Sequence, residues 1–115
     1  MAKFDVTALR EKVLASDDIK YDEVYVAEWD VTLPVKSLSA TEMKELYKHD
    51  KDPIRMAILS VLFGCKTKDG EAVFKREDLA KFETEKSFGA IQTVSEKILS
   101  ISGMDDDAVS EAKND

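Results

Sequence analysis

The spacing of apolar residues changes period along the chain, and each change marks an element. Leu9 and Val13 lie one helical turn apart, with polar Arg10, Glu11 and Lys12 between them. Asp5 or Thr7 can cap this segment, and Ser16-Asp17-Asp18 ends it. A helix this short depends on tertiary contacts. The stretch from Tyr21 to Trp29 is rich in valine and aromatics, and Val31 to Lys36 continues in the same style, so two strands joined near Asp30 follow. A two-residue turn at Trp29-Asp30 places Val24, Val26, Leu33 and Val35 on one face. A three-residue turn aligns Tyr25, Ala27, Trp29, Val31, Leu33 and Val35 instead. Either register gives an apolar face. Pro34 cannot donate to a ladder, which suits an edge strand.

Helical spacing then returns. Ser39-Ala40-Thr41-Glu42 is a capping box opening a helix whose buried face is Met43, Leu46 and Tyr47. His49-Asp50-Lys51-Asp52 breaks it, and Pro53 occupies the first turn of the next. That helix, Ile54 to Cys65, is apolar on nearly every side and is expected at the centre of the domain. A turn at Lys68-Asp69-Gly70-Glu71 precedes a short apolar element, Ala72-Val73-Phe74. A further helix from near Lys75 buries Leu79 and Phe82. The last helix, Phe88 to Ser102, carries the stripe Ile91, Val94, Ile98 and Ile101, and Gly103 ends it. The expected class is α+β, mainly α: a compact helical domain with a small N-terminal antiparallel β-hairpin. One globular domain over residues 1–104 and an acidic, disordered tail over 105–115 complete the expectation.

Composition narrows the function. With 115 residues the chain has one domain's worth of core. Its net charge of −7, with Lys and Arg scattered singly among acids, argues against nucleic acid or an anionic membrane as partner. No apolar run approaches the roughly 20 residues that span a bilayer, and the first residues carry no signal-peptide pattern. With a single cysteine no internal disulfide can form, so a cytoplasmic setting is expected.

Candidate chemistry does not converge. His49, the one histidine, sits in a charged connector with no second histidine or cysteine near it in sequence. Cys65 follows an apolar helix, where a buried structural thiol is expected. Asp105-Asp106-Asp107 lacks the spaced ligands and turn glycine of a calcium loop. The glycines form no phosphate-binding pattern. The expectation is a protein that binds another protein, with no enzymatic activity, no cofactor and no metal.

The order of elements carries a resemblance. Val24-Tyr25-Val26-Ala27-Glu28-Trp29, running into Leu33-Pro34-Val35-Lys36-Ser37-Leu38-Ser39-Ala40-Thr41-Glu42, resembles the opening of tail assembly chaperones of long-tailed, non-contractile phages. The apolar helix Ala57 to Phe63, the Asp69-Gly70 turn, Val73-Phe74, Leu79, the Ile91 to Ile101 helix and the tail Glu111-Ala112-Lys113-Asn114 follow in the family's order. Asp30 departs from it, standing where glycine is expected after the tryptophan.

The resemblance implies a stoichiometric chaperone of the host cytoplasm, absent from the mature virion. It would bind the tape measure protein and keep it soluble until the tail tube polymerises around it. The tail tube protein and a second copy of the chain are further candidate partners. A tail completion or connector subunit retained in the virion is the alternative. Phe88, Leu99 and Met104, at the edge and end of the last helix's stripe, are the candidate partner-contact residues. Many family members also have a longer form made by ribosomal frameshifting near the end of the shorter frame. Lys113-Asn114 after Ala112 can be encoded by a slippery heptamer.

Overall fold

A computed structural model of the chain describes residues 3–104. The acidic tail, with Asp105-Asp106-Asp107 and Lys113-Asn114, lies outside the described residues. The elements follow the order α1 (Val6–Ala15), β1 (Tyr21–Val26), β2 (Val31–Lys36), α2 (Ala40–Tyr47), α3 (Pro53–Gly64), a 3-10 turn (Arg76–Asp78), α4 (Leu79–Glu85) and α5 (Phe88–Ile101). The fold is therefore mainly α with one antiparallel hairpin, and the hairpin follows α1 instead of opening the chain.

The hairpin turns through four residues, Ala27 to Asp30, longer than either turn considered from the sequence. Val26 pairs with Val31 and Val24 with Leu33, so Val24, Val26, Leu33 and Val35 share the inner face. The inner set is that of the two-residue turn, with the partners shifted by two. Asp30 closes the loop at φ 49°, a left-handed conformation that glycine adopts without a Cβ penalty. Its carboxylate accepts from the Tyr25 hydroxyl at 2.9 Å.

The buried core runs through the inner face of the hairpin, Leu46, the last two turns of α3, Phe82 of α4 and the stripe of α5. α3 packs most extensively on α5, with α2 and α4 on its flanks, while the hairpin packs on α5. Three contacts advance together along α3 and α5. Ile58 and Ile91 line one cleft, Ser60 and Ser95 share a hydrogen bond of 2.7 Å, and Gly64 abuts Ile98. The two central helices are thus parallel, which obliges the chain to return through the Lys66–Ala72 bridge and α4 between them. A Cβ on Gly64 would stand 2.6 Å from Ile98 Cδ1, so only glycine lets the helices approach this closely.

Two expectations need amending. The first turn of α3 lies outside the core, with Ile54 more than half exposed. α1 is capped by Asp5 as expected, yet none of its residues is buried.

Candidate functional site

α2 is positioned by chemistry at its first turn. Ser39 Oγ accepts from the Glu42 amide, and Glu42 Oε1 accepts from the Ser39 amide at 2.9 Å, completing the expected capping box. The same Glu42 carboxylate takes a 2.5 Å ion pair from Lys36 at the end of β2. Lys36 also donates to the Ser37 carbonyl, so the ammonium is held although the residue is buried. Partial burial works against the charged Glu42 carboxylate. The Lys36 ammonium and the Ser39 amide outweigh that and hold its pKa below the ordinary glutamate value. At the other end, Asp52 caps α3 through the Arg55 amide at 3.0 Å, and Pro53 takes the first helical position.

Between α2, α3 and the second half of α5 these anchors leave a groove of about 280 Å³. Leu46 and Ser95, both buried, form its floor. Met43 and Tyr47 from α2, Met56 and Ala57 from α3, and Leu99 from α5 rise around them. Met104 closes one end, its amide donating to the Leu99 carbonyl at 2.7 Å after Gly103 turns the chain at φ 87°. Among the described residues no charged side chain lines this groove.

Two other clefts have a different character. Phe88 lies at the start of α5 in a cleft with Ile54, Ile58, Phe82 and Ile91, rimmed by Asp52, Arg55, Glu83 and Lys86. Arg55 and Glu83 bridge that rim at 2.8 Å. Beside it, Trp29 and Phe74 both meet Phe82 edge to face, with centroids 6.0 Å and 5.0 Å away, under Lys86.

The structure thus brings Leu99 and Met104 into one groove and places Phe88 in a separate cleft at the far end of α5. Tyr47, read from the sequence as part of a buried face, is half exposed on the groove wall, and Met43 is half-buried. The signal for this wall was compositional. Three of the chain's four methionines line one groove, and methionine is favoured on surfaces that must adapt to varied partners.

His49 is half-buried in the connector between α2 and α3. Burial removes solvent from the Cys65 thiol and pushes its pKa to about 12, which leaves it protonated and inert. Among the described residues no three His, Cys, Asp or Glu side chains gather in a way that could hold a metal ion. Nor is any helix among them long and apolar enough to cross a membrane. What the described residues offer is an apolar, methionine-walled groove of about 280 Å³, a surface of the kind that takes up apolar side chains.

No family model and no curated protein matches this chain. Among solved structures, it is similar to the tail assembly chaperone of bacteriophage HK97, with a TM-score of 0.57 over 85% of this chain and 92% of that one. The two are 13% identical in sequence, so what they share is the fold.

Proposed function

We propose, from a fold shared with the HK97 tail assembly chaperone over 92% of that protein, that this chain is itself a phage tail assembly chaperone. That likeness carries the reading. The groove supplies a mechanism in keeping with it. The client is the tape measure protein, a long helical chain with exposed apolar faces. Met43, Tyr47, Met56, Leu99 and Met104 take up apolar side chains from one face of a client helix. The chain's net charge of −7 keeps the complex in solution. Several copies shield successive segments in the host cytoplasm, and polymerising tail tube subunits displace them. Binding is by burial alone, with no nucleotide, metal or covalent step.

Co-expression with the tape measure protein of the same phage tests this. The expected result is a soluble complex that co-purifies without ATP, and a loss of co-purification of tenfold or more with Met43→Glu or Leu99→Glu, in line with about 1.4 kcal/mol or more per desolvated contact. Failure of the wild-type pair to co-purify would remove the chaperone reading. Finding the chain at fixed copy number in purified virions by mass spectrometry would replace it with that of a structural tail subunit. The frameshifted longer form is read from the gene. It requires a slippery heptamer at Lys113-Asn114 and an open −1 frame beyond it.

A further inference from the structure

Among the described residues α1 is the one α-helix that buries none of its side chains, and Phe4, Val6, Leu9, Val13 and Leu14 in and before it are all exposed. A helix of 10 residues is marginal in water by itself. So many large apolar groups in one short segment also exceed the scattered exposure normal on a soluble surface. Val6, Leu9 and Val13 share one side of the helix, with Leu14 flanking it and Arg10, at the edge, long enough to keep its charge in water.

The root of α1 lies beside the start of α2 and the end of α5. Lys20 and Ser37 fix the chain there, with Lys20 N donating to Ser37 Oγ and Ser37 N to the Lys20 carbonyl, both at 2.8 Å. Asp18 and Ile19 share a cleft with Leu38, Ser39, Ile101 and Gly103. This is the point at which α2 starts and α5 ends, and those helices carry Met43 and Leu99 into the groove. Only Ser16 and Asp17 separate α1 from that anchored point. α1 is about 15 Å long and α2 about 12 Å at the standard helical rise, so the arm spans the groove wall it would cover.

We propose that α1 is a strap that closes over the groove of its own chain, antiparallel to α2, with Val13 at the Leu99–Met104 end and Val6 at the Tyr47 end. The structure described above is its open state. The short tether decides between this groove and that of another copy. A flexible link of a few residues gives an effective concentration in the millimolar range, well above any micromolar neighbour. Closure hides the apolar surface of both parts when no client is present. Any helix entering the groove must first displace the strap, which lowers its apparent affinity by the fraction of open molecules.

The methionines give the test. Glu11→Cys places a nitroxide on the outer side of α1, while buried Cys65 stays unlabelled, and methyl-labelled Met43, Met56 and Met104 report from the groove. In a dilute sample the expected result is broadening of these three methyl signals, unchanged by further dilution. A reversed strap with Leu9→Asp and Val13→Asp should restore them, and both positions are exposed, so the fold is unaffected. Absence of broadening overturns the proposal. So does broadening that arises only when a nitroxide-bearing chain is mixed with a separate methyl-labelled chain, which gives the groove to a second copy. The effect on clients rests on the chaperone reading. The Asp-bearing strap should bind a synthetic amphipathic helical peptide about 3- to 10-fold more tightly than wild type. If the methyl signals broaden while neither form binds the peptide, the strap stands and the client reading falls.

Discussion

Gly64 shows how one missing methyl can set the distance between two helices. Exchanging a helical glycine for alanine ordinarily gains about 1 kcal/mol. Here the added Cβ meets three atoms of a single buried side chain, at 2.6 Å, 2.7 Å and 2.9 Å. Gly64→Ala is therefore expected to lose about 1–3 kcal/mol in chemical denaturation. Adding Ile98→Val should return part of that loss, because the methyl removed, Cδ1, is the one met first. Equal losses in single and double variants would mean that the helices do not meet there. Asp30 works in the opposite sense. Asp30→Gly relieves the left-handed backbone but gives up the Tyr25 hydrogen bond, which is exposed and weak. A gain of up to about 1 kcal/mol is expected. Ultraviolet titration should also show the Tyr25 phenol, now held above its ordinary range by the Asp30 hydrogen bond, returning to it.

At the scale of elements, the pairing of α3 with α5 holds one polar contact inside an apolar seam. Ser60 Oγ donates to the Ala57 carbonyl at 2.6 Å. Its single hydrogen is thereby used, so in the 2.7 Å contact between the two hydroxyls Ser95 is the donor. The two truncations are then unequal. Ser60→Ala leaves the buried Ser95 hydroxyl without its acceptor and should cost about 1–3 kcal/mol, whereas Ser95→Ala leaves Ser60 bonded and should cost less than about 1 kcal/mol. Thermal melts of the two variants would show the order, and its reversal would mean that the donor has been assigned the wrong way round.

Most elements were legible in the sequence because local rules set them. The Ser39–Glu42 box, Pro53 and Gly103 mark helix ends within two residues of where they fall. The inner face of the hairpin was legible too, since side chains alternate whatever the turn, but the turn length was not, because Asp30 supplies a conformation usually signalled by glycine. Leu9 and Val13 gave the pattern of a packed helix, yet pattern states only that a face wants cover. It says nothing of where the cover lies. For the groove, Leu99 and Met104 come from the edge and the end of one helix and so could be picked out from its stripe. Their neighbours Met43, Tyr47 and Met56 come from other helices, and only the fold assembles them.

For the whole molecule, acid should loosen the joint between hairpin and helices first. The Glu42, Asp22 and Glu45 carboxyls are all held below their ordinary values in the fold: Glu42 chiefly by Lys36 against its own burial, Asp22 by Lys97 and Glu45 by Lys48. A depressed carboxyl contributes stability that is complete above its unfolded pKa, near 4, and is lost as pH falls through the lower folded value. The melting temperature should be flat from about pH 7 to 5 and fall below about pH 4. Glu42→Gln should start lower and fall less steeply, with Asp22 and Glu45 supplying the slope that remains. An unchanged slope would mean that the Lys36–Glu42 pair does not contribute.

The methionine walls of the groove have a consequence for oxidative damage. A thioether becomes a polar sulfoxide under peroxide, whereas a buried thiol that stays protonated resists. Met43, Met56 and Met104 are all at least partly accessible, and Cys65 is not. Mild peroxide should therefore polarise the groove while circular dichroism still reports the native fold, and apolar dye binding there should fall in step with sulfoxide content measured by mass. Sulfoxide reductase would restore it. In this molecule the residues that make the surface adaptable are also those that make it perishable.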